Sequence, residues 1–331
     1  IDFSPLIDAA EGEVVTHRFV RDLALPSGGT LALITLDNGA DYTRPNTLGP
    51  LTLHELNGVL DAQAARAAAG EIQAVAITGK QFIFAAGADL SKVSTLATEQ
   101  NARLMAQYGH HVLGKFRGLG VPTFAFVNGL ALGGAMEIAL NCDYRTLDSS
   151  TAALAFPEVF LGIIPGWGGA TLVPNLVGIE RAIEIIVSNP LKNNRMLKPE
   201  QALEAGLFDV MFGAASFLEQ SVRWADHVLT GEQKVDRPHV PGKTERLIKW
   251  PAAIKIARDT LKARIGSAAK SPYVALELLS AAKDNNIERG FEREDEALTE
   301  LISGDQFHAS IYAFDLVQKR AKRPAGAPDR K

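Results

Sequence analysis

The sequence predicts an α/β unit followed by an all-helical segment, and three observations carry that reading. Short apolar runs alternate with segments of helical periodicity from about residue 14 to residue 229. The stretch 231–243, GEQKVDRPHVPGK, is polar and carries two prolines and two glycines, the composition of a linker. From residue 251 to residue 319 the strand signal all but disappears while helical spacing continues. The expected divisions are therefore 1–230 for the α/β unit, 231–250 for the linker and 251–318 for the helical segment. The basic, Pro/Ala-rich end, 319–331, has nothing to bury and reads as a disordered tail or interdomain linker.

Composition bounds the function classes. The 331 residues are 47% hydrophobic and 22% charged, ordinary for a globular chain with a substantial core. A formal net charge of −4 argues against a nucleic-acid binder or an anionic-membrane binder. The single cysteine, Cys142, excludes an intrachain disulfide and fits a reducing compartment. The expected location is the bacterial cytoplasm, with the mitochondrial matrix as the alternative.

Taken in order, residues 14–20 and 30–36 read as strands. Pro26-Ser27-Gly28-Gly29 between them makes an antiparallel pair. Residues 37–50 are a polar loop rich in turn formers. Residues 51–69 are a helix with Leu53, Leu56, Leu60 and Ala64 at helical spacing and Gly70 as its stop. AVAIT at 74–78 is a buried strand. FIFAAGADL at 82–90 comes next, with Ala85, Ala86, Gly87 and Ala88 small enough to let backbone approach a ligand, and Asp89 placed to cap the next segment. Residues 99–119 are helical. His110 and His111 within them read as packed or surface histidines, because neither has a carboxylate or cysteine at metal-ligand spacing, and no metal is expected anywhere in the chain. Residues 144–146 and 152–155 are strand-like, and helices are expected at 179–187, 198–205 and 215–229.

The most informative stretch is VPTFAFVNGLALGGAMEIALNC, 121–142. Its apolar length invites comparison with a membrane span, but Pro122, Asn128, Gly129, Gly133, Gly134 and Glu137 argue against one unbroken lipid-facing helix. It divides instead into a strand at 123–127, a break at Asn128-Gly129 and a helix opened by Gly133-Gly134. A glycine turn into a helix start leaves backbone N–H groups free at one spot, reinforced by the helix dipole, and such a spot holds an oxyanion. Glu137 lies one turn into that helix among Ala135, Met136, Ile138 and Leu140. It is either a half-exposed residue without a task or a carboxylate that something uses. FPEVFLGIIPGWGG at 156–169 places Glu158 in a second apolar setting. Its Gly166-Trp167-Gly168-Gly169 loop fails as a dinucleotide fingerprint, since Thr171 stands where the third glycine belongs. Gly79-Lys80 fails as a phosphate loop.

FAAGADL, NGLALGGAMEIALNCD and FPEVFLGIIPGWGGATLVP, in that order, closely resemble the crotonase (enoyl-CoA hydratase/isomerase) superfamily, over roughly residues 31–229. The resemblance implies a spiral of ββα units. It also implies backbone oxyanion donors at Ala88 and Gly134 and catalytic carboxylates at Glu137 and Glu158. By position, Ala86, Gly87, Asp89, Leu90, Gly133, Pro165, Gly166 and Trp167 are expected at the substrate. The implied substrate is an acyl-CoA thioester, with coenzyme A as its carrier and no retained cofactor. Its adenine end is expected near residues 41–47, and acyl chain length is expected to depend on residues 91–100. The helical region from Trp250 resembles the segment that comes after the hydratase part in the multifunctional alpha subunit of fatty-acid β-oxidation complexes. There it precedes a 3-hydroxyacyl-CoA dehydrogenase domain and the subunit pairs with a thiolase, so this chain is expected to be an N-terminal piece of a longer protein. No dehydrogenase motif is present. The implied activity is hydration of a 2-enoyl-CoA. The alternatives are Δ3,Δ2-enoyl-CoA isomerisation, also as a second activity, and a non-catalytic acyl-CoA-binding subunit.

Overall fold

The computed structural model describes residues 1–89 and 98–322. In chain order the elements are α1 (Ser4–Asp8), β1 (His17–Ala24), β2 (Thr30–Asp37), α2 (Pro50–Ala68), β3 (Ala74–Gly79), β4 (Phe82–Ala85) and α3 (Glu99–Gly114). Then come β5 (Thr123–Val127), β6 (Gly129–Leu132), α4 (Gly134–Asn141), β7 (Tyr144–Asp148) and β8 (Leu154–Ala155). They are followed by α5 (Gly169–Val177), α6 (Ile179–Ile183), α7 (Pro199–Ala205), β9 (Val210–Phe212) and α8 (Phe217–Thr230). The last four are α9 (Trp250–Ile265), α10 (Ser271–Ala281), α11 (Ile287–Ile302) and α12 (Asp305–Lys322).

The strands form two sheets, in the orders β1-β2-β3-β5-β7-β9 and β4-β6-β8. Among the strands of the described residues, only β1 and β2 pair antiparallel with each other, and the other strand pairings are parallel. The pairs β3/β4, β5/β6 and β7/β8 each give one strand to the large sheet and the next to the small one before running into a helix, which is the expected ββα spiral. The break expected at Asn128-Gly129 is therefore a corner between sheets, and the residues after it form β6 rather than a loop. Asn128 fastens that corner: its Oδ1 accepts from Gly79 N (3.0 Å) and its Nδ2 donates to the carbonyls of Gly79 (2.9 Å) and Lys80 (2.8 Å). Gly129 admits no side chain, since a Cβ there would lie 2.0 Å from the Phe82 carbonyl oxygen. Asn46 does the same work one turn earlier, donating to the Leu36 and Phe84 carbonyls.

Both faces of the large sheet are covered, so β3 and β5 read as continuous apolar runs. Alternation still sorts the side chains. Leu31, Leu33, Ala76, Phe124 and Phe126 face α8 through Phe217, Trp224 and Ala225, whereas Ile34, Ile77, Ala125 and Val127 join the main core.

The C-terminal helices belong to that main core: Trp250, Leu276, Leu279, Leu298, Leu301 and Phe307 are buried in one cluster with Leu36, Leu56 and Met136. Two of the expected boundaries move as a result. Residues 245–249 already wind into a helical turn that continues as α9, and Trp250, inside the expected linker, is fully buried with its indole N–H donating to Leu279 O (2.8 Å). At the other end, α12 runs to Lys322, past the start of the expected tail. Local composition marked the polar residues correctly, but the partner that buries Trp250 lies on α10, too distant for composition to register. Among the described residues, no helix is long and apolar enough to cross a membrane. Replacing Trp250 by Ala leaves a large cavity in a shared core and is expected to lower stability by about 3–5 kcal/mol in denaturant unfolding; a loss under about 1 kcal/mol would mean that these helices fold apart from the α/β unit.

Candidate functional site

The site forms where the spiral brings three glycine-containing turns together. After β4 the chain passes beside Leu48: Leu48 N donates to Gly87 O (2.9 Å), and Asp89 N donates to Leu48 O (3.2 Å). That bridge uses groups on either side of Ala88 and leaves the Ala88 N–H turned the other way. Gly87 (φ +85°) allows the close fit, since a Cβ there would lie 2.7 Å from the Leu132 carbonyl oxygen and 3.3 Å from Gly134 N. Gly134 is the first residue of α4, so its N–H has no intrahelical acceptor. Neither amide donates to another described backbone carbonyl, and the two loops that carry them touch.

Glu137 rises from the first turn of α4 and is 2% exposed. Its Oε1 accepts two backbone hydrogen bonds, from Trp167 N (2.7 Å) and Gly169 N (2.8 Å). Glu158 opens a short 3-10 turn after Pro157 and is 8% exposed. Its Oε1 lies 2.5 Å from where a Cβ of Gly133 would stand, and its Oε2 has no hydrogen-bond partner. Glu158 thus reaches the turn that opens the helix carrying Glu137, near enough for the charge of one to act on the other. Burial, followed by the neighbouring Glu294 carboxylate, pushes the Glu137 carboxyl up to about 7, against the opposing pull of the Trp167 and Gly169 amides and of His110. Burial, then the charge of Glu137, pushes Glu158 well above the ordinary carboxylate range. One carboxyl is poised to ionise near neutrality and the other to keep its proton.

A cavity of about 710 Å³ connects these groups. Ala86, Gly87, Ala88, Asp89, Gly133, Gly134, Glu137, Glu158, Gly166 and Trp167, all expected at the substrate or the chemistry, line it. Pro165 does not: it packs beneath Gly169, where a Cβ would come within 2.6 Å of the Pro165 Cβ, and so shapes the turn from behind. Leu90, and most of the segment expected to govern chain length, lie outside the described residues.

Sequence reasoning missed two contributions. The apolar wall opposite the glycine turns comes from Leu298 and Ile302 of α11 and from Phe307 and Phe314 of α12. The spacing on α11 marks an apolar stripe, but not what the stripe faces. The second is His110, expected to be a bland packed or surface histidine. It is 8% exposed, with Nδ1 2.6 Å from Asp295 Oδ1 and Nε2 3.2 Å from Glu294 Oε2, and its ring stacks on Phe291 at 4.2 Å. Burial lowers its affinity for a proton, but the hydrogen bonds its ring donates to Asp295 and then to Glu294 outweigh that and raise it to about 9, which favours the imidazolium at neutral pH. Its carboxylates stand 184 and 185 residues away in sequence, beyond any local spacing rule.

Comparison with known proteins adds three findings. The family model described as enoyl-CoA hydratase/isomerase matches residues 27–237. The chain is 29% identical over 306 residues to the fatty acid oxidation complex subunit alpha of Shewanella amazonensis, covering 91% of this chain and 42% of that one. It is 30% identical over 325 residues to the subunit of the same name from Pseudomonas putida, covering 96% and 43%. This chain thus spans less than half the length of these relatives. In fold it is similar to human mitochondrial delta3-delta2-enoyl-CoA isomerase, with a TM-score of 0.61 at 16% identity over 92% of this chain and 99% of that one. The two touching glycine turns, the buried carboxyls beside them and the extent of the family match lead to one conclusion: the chain belongs to the enoyl-CoA hydratase/isomerase family.

Proposed function

We propose that this chain is an enoyl-CoA hydratase of fatty-acid β-oxidation, adding water across the 2,3 double bond of a 2-enoyl-CoA. The observation that carries the reading is the unlike pair of buried carboxyls, Glu137 and Glu158, beside two unpaired amides.

Attack at Cβ moves the π electrons onto the thioester oxygen. The amides of Ala88 and Gly134, with the positive end of α4, stabilise that enolate; one such donor typically lowers the barrier by about 3–4 kcal/mol. Glu137, ionised near neutrality, takes a proton from water as its oxygen bonds to Cβ. Glu158, protonated, delivers its proton to Cα as the enolate collapses. Proton exchange between the pair through the next water resets the site. Water enters as a substrate, the thioester leaves intact, and the step is neither an oxidation nor a reduction. Coenzyme A arrives and departs with the acyl group. The unpartnered Oε2 of Glu158 favours a second reading beside the first: with no attacking water, a single carboxyl shuttling a proton between Cα and Cγ isomerises a 3-enoyl thioester. The names of the bacterial relatives support a place in a fatty acid oxidation complex. A continuing dehydrogenase domain, a thiolase partner and a cytoplasmic location are parts of the same proposal.

Glu137→Gln and Glu158→Gln are each expected to lower hydration by about 10²–10⁴-fold while leaving the unfolding midpoint nearly unchanged. Loss of conjugated enoyl-thioester absorbance measures it, and near-normal turnover by either variant rejects the assignment. In kcat/KM against pH, activity is expected to rise as the pair loses its first proton near pH 7, centred on Glu137, and to fall again at higher pH as Glu158 ionises. A profile flat from about pH 5 to about pH 9 contradicts that division of roles. Offering 2-enoyl and 3-enoyl thioesters to one sample separates hydration from isomerisation.

A further inference from the structure

Three successive amides of the loop after β8 are shared between two carboxylates. Trp167 N and Gly169 N donate to Glu137 Oε1, at 2.7 and 2.8 Å. The amide between them, Gly168 N, donates the opposite way, to Glu294 Oε2 at 2.6 Å. Glu294 is on α11, fully buried, and its other oxygen has no hydrogen-bond partner. The same Oε2 receives His110 Nε2 from α3. His110 is held in turn by Asp295 and stacked on Phe291, so α11 grips it at positions i, i+3 and i+4. Gly168 has φ +111°, and a Cβ there would crowd Leu172 and Phe291 at 3.0–3.3 Å.

We propose that Glu294, fastened by His110, is a positioning residue for the reaction. By taking the middle amide of the Trp167–Gly169 loop it rotates the two flanking amides onto Glu137 and so sets where that carboxylate stands. Glu294 is absent from the cavity wall, so it touches no substrate; it acts on Glu137 through the loop and through its charge. An unpaired buried carboxylate would be costly, and taking the Gly168 N–H and the His110 ring together is what pairs Glu294 and fixes the orientation of the loop between them. The charged groups facing Glu137 are Glu158 from the neighbouring turn, Glu294 from α11 and His110 from α3. The C-terminal helical segment thus reaches the chemistry, as well as walling the cavity. The catalytic part of this inference rests on the hydratase reading; the geometric part does not.

The test uses the whole chain and three substitutions. Glu294→Leu removes the acceptor. Glu294→Asp keeps the charge but draws it back by one methylene. Glu294→Gln keeps an acceptor in place. In the free protein, amide NMR resonances of Trp167 and Gly169 are expected to shift in Glu294→Leu and Glu294→Asp and to stay near wild type in Glu294→Gln. In turnover, Glu294→Leu is expected to lose about 10–100-fold in kcat with KM within about threefold, Glu294→Asp less, and Glu294→Gln to recover most of the rate at its own optimum pH. Glu294→Gln, which keeps the amides in place and removes only the charge, is expected to move the acid limb of the pH profile downward. Unmoved Trp167 and Gly169 resonances in the Asp and Leu variants overturn the proposal, as does a lowered unfolding midpoint with unchanged kcat. If Glu294→Leu does not fold, the Asp variant decides. Wild-type protein that does not consume the 2-enoyl thioester defeats the hydratase reading alone, because the resonances still report the loop.

Discussion

Everything at the site depends on keeping a carboxylate buried in the first turn of an apolar helix. Stripped of water, Glu137 is costly unless backbone donors replace the solvent, and two amides from a loop some thirty residues later do so. Those two bonds are not enough to make it an ordinary carboxylate. Burial and the nearby Glu294 still hold its proton affinity near neutrality, where a general base is most useful. The incomplete solvation is what makes the group reactive.

The spiral supplies that arrangement by a repeated device. Three turns end a strand of the large sheet, bend at a corner and begin a strand of the small sheet. Asn128 holds the second of those corners to the first, and Asn46, in the loop after β2, ties the end of β2 to β4. The small sheet, β4-β6-β8, then presents its exits side by side: the Ala88 loop after β4, the Gly133–Gly134 turn after β6 and the Glu158 turn after β8. The free amides of Ala88 and Gly134 and both carboxyls are neighbours because their strands are neighbours. Packing at the glycines keeps them close: Gly87 faces Leu132 and Gly134, Gly133 faces Glu158, and Gly134 faces the Trp167 ring.

The C-terminal helices extend the same core rather than decorate it. They bring an apolar wall to the cavity and, through His110 between Glu294 and Asp295, a charged clamp behind the Trp167–Gly169 loop. Gly290 lies against Thr171 and Gly166 against Leu298, contacts that any added side chain would disturb. The helical segment and the Gly-rich loop are fitted to each other.

What the sequence determined by itself was local. Apolar runs and glycine punctuation marked the strands, the helix start at Gly134 and the odd carboxylates at Glu137 and Glu158, because each is a conflict or a periodicity within a few residues. Three things needed the tertiary structure. Asn128-Gly129 looked like a plain break, and the strand Gly129–Leu132 after it went unread, because its partners, β4 and β8, lie elsewhere in the chain. Trp250 looked like part of a linker because α10 buries it. His110 looked inert because its carboxylates sit on a helix more than half the chain away. Propensity and spacing act between near neighbours, whereas burial and electrostatics act between whatever the fold brings close, and only the folded chain decides which groups those are.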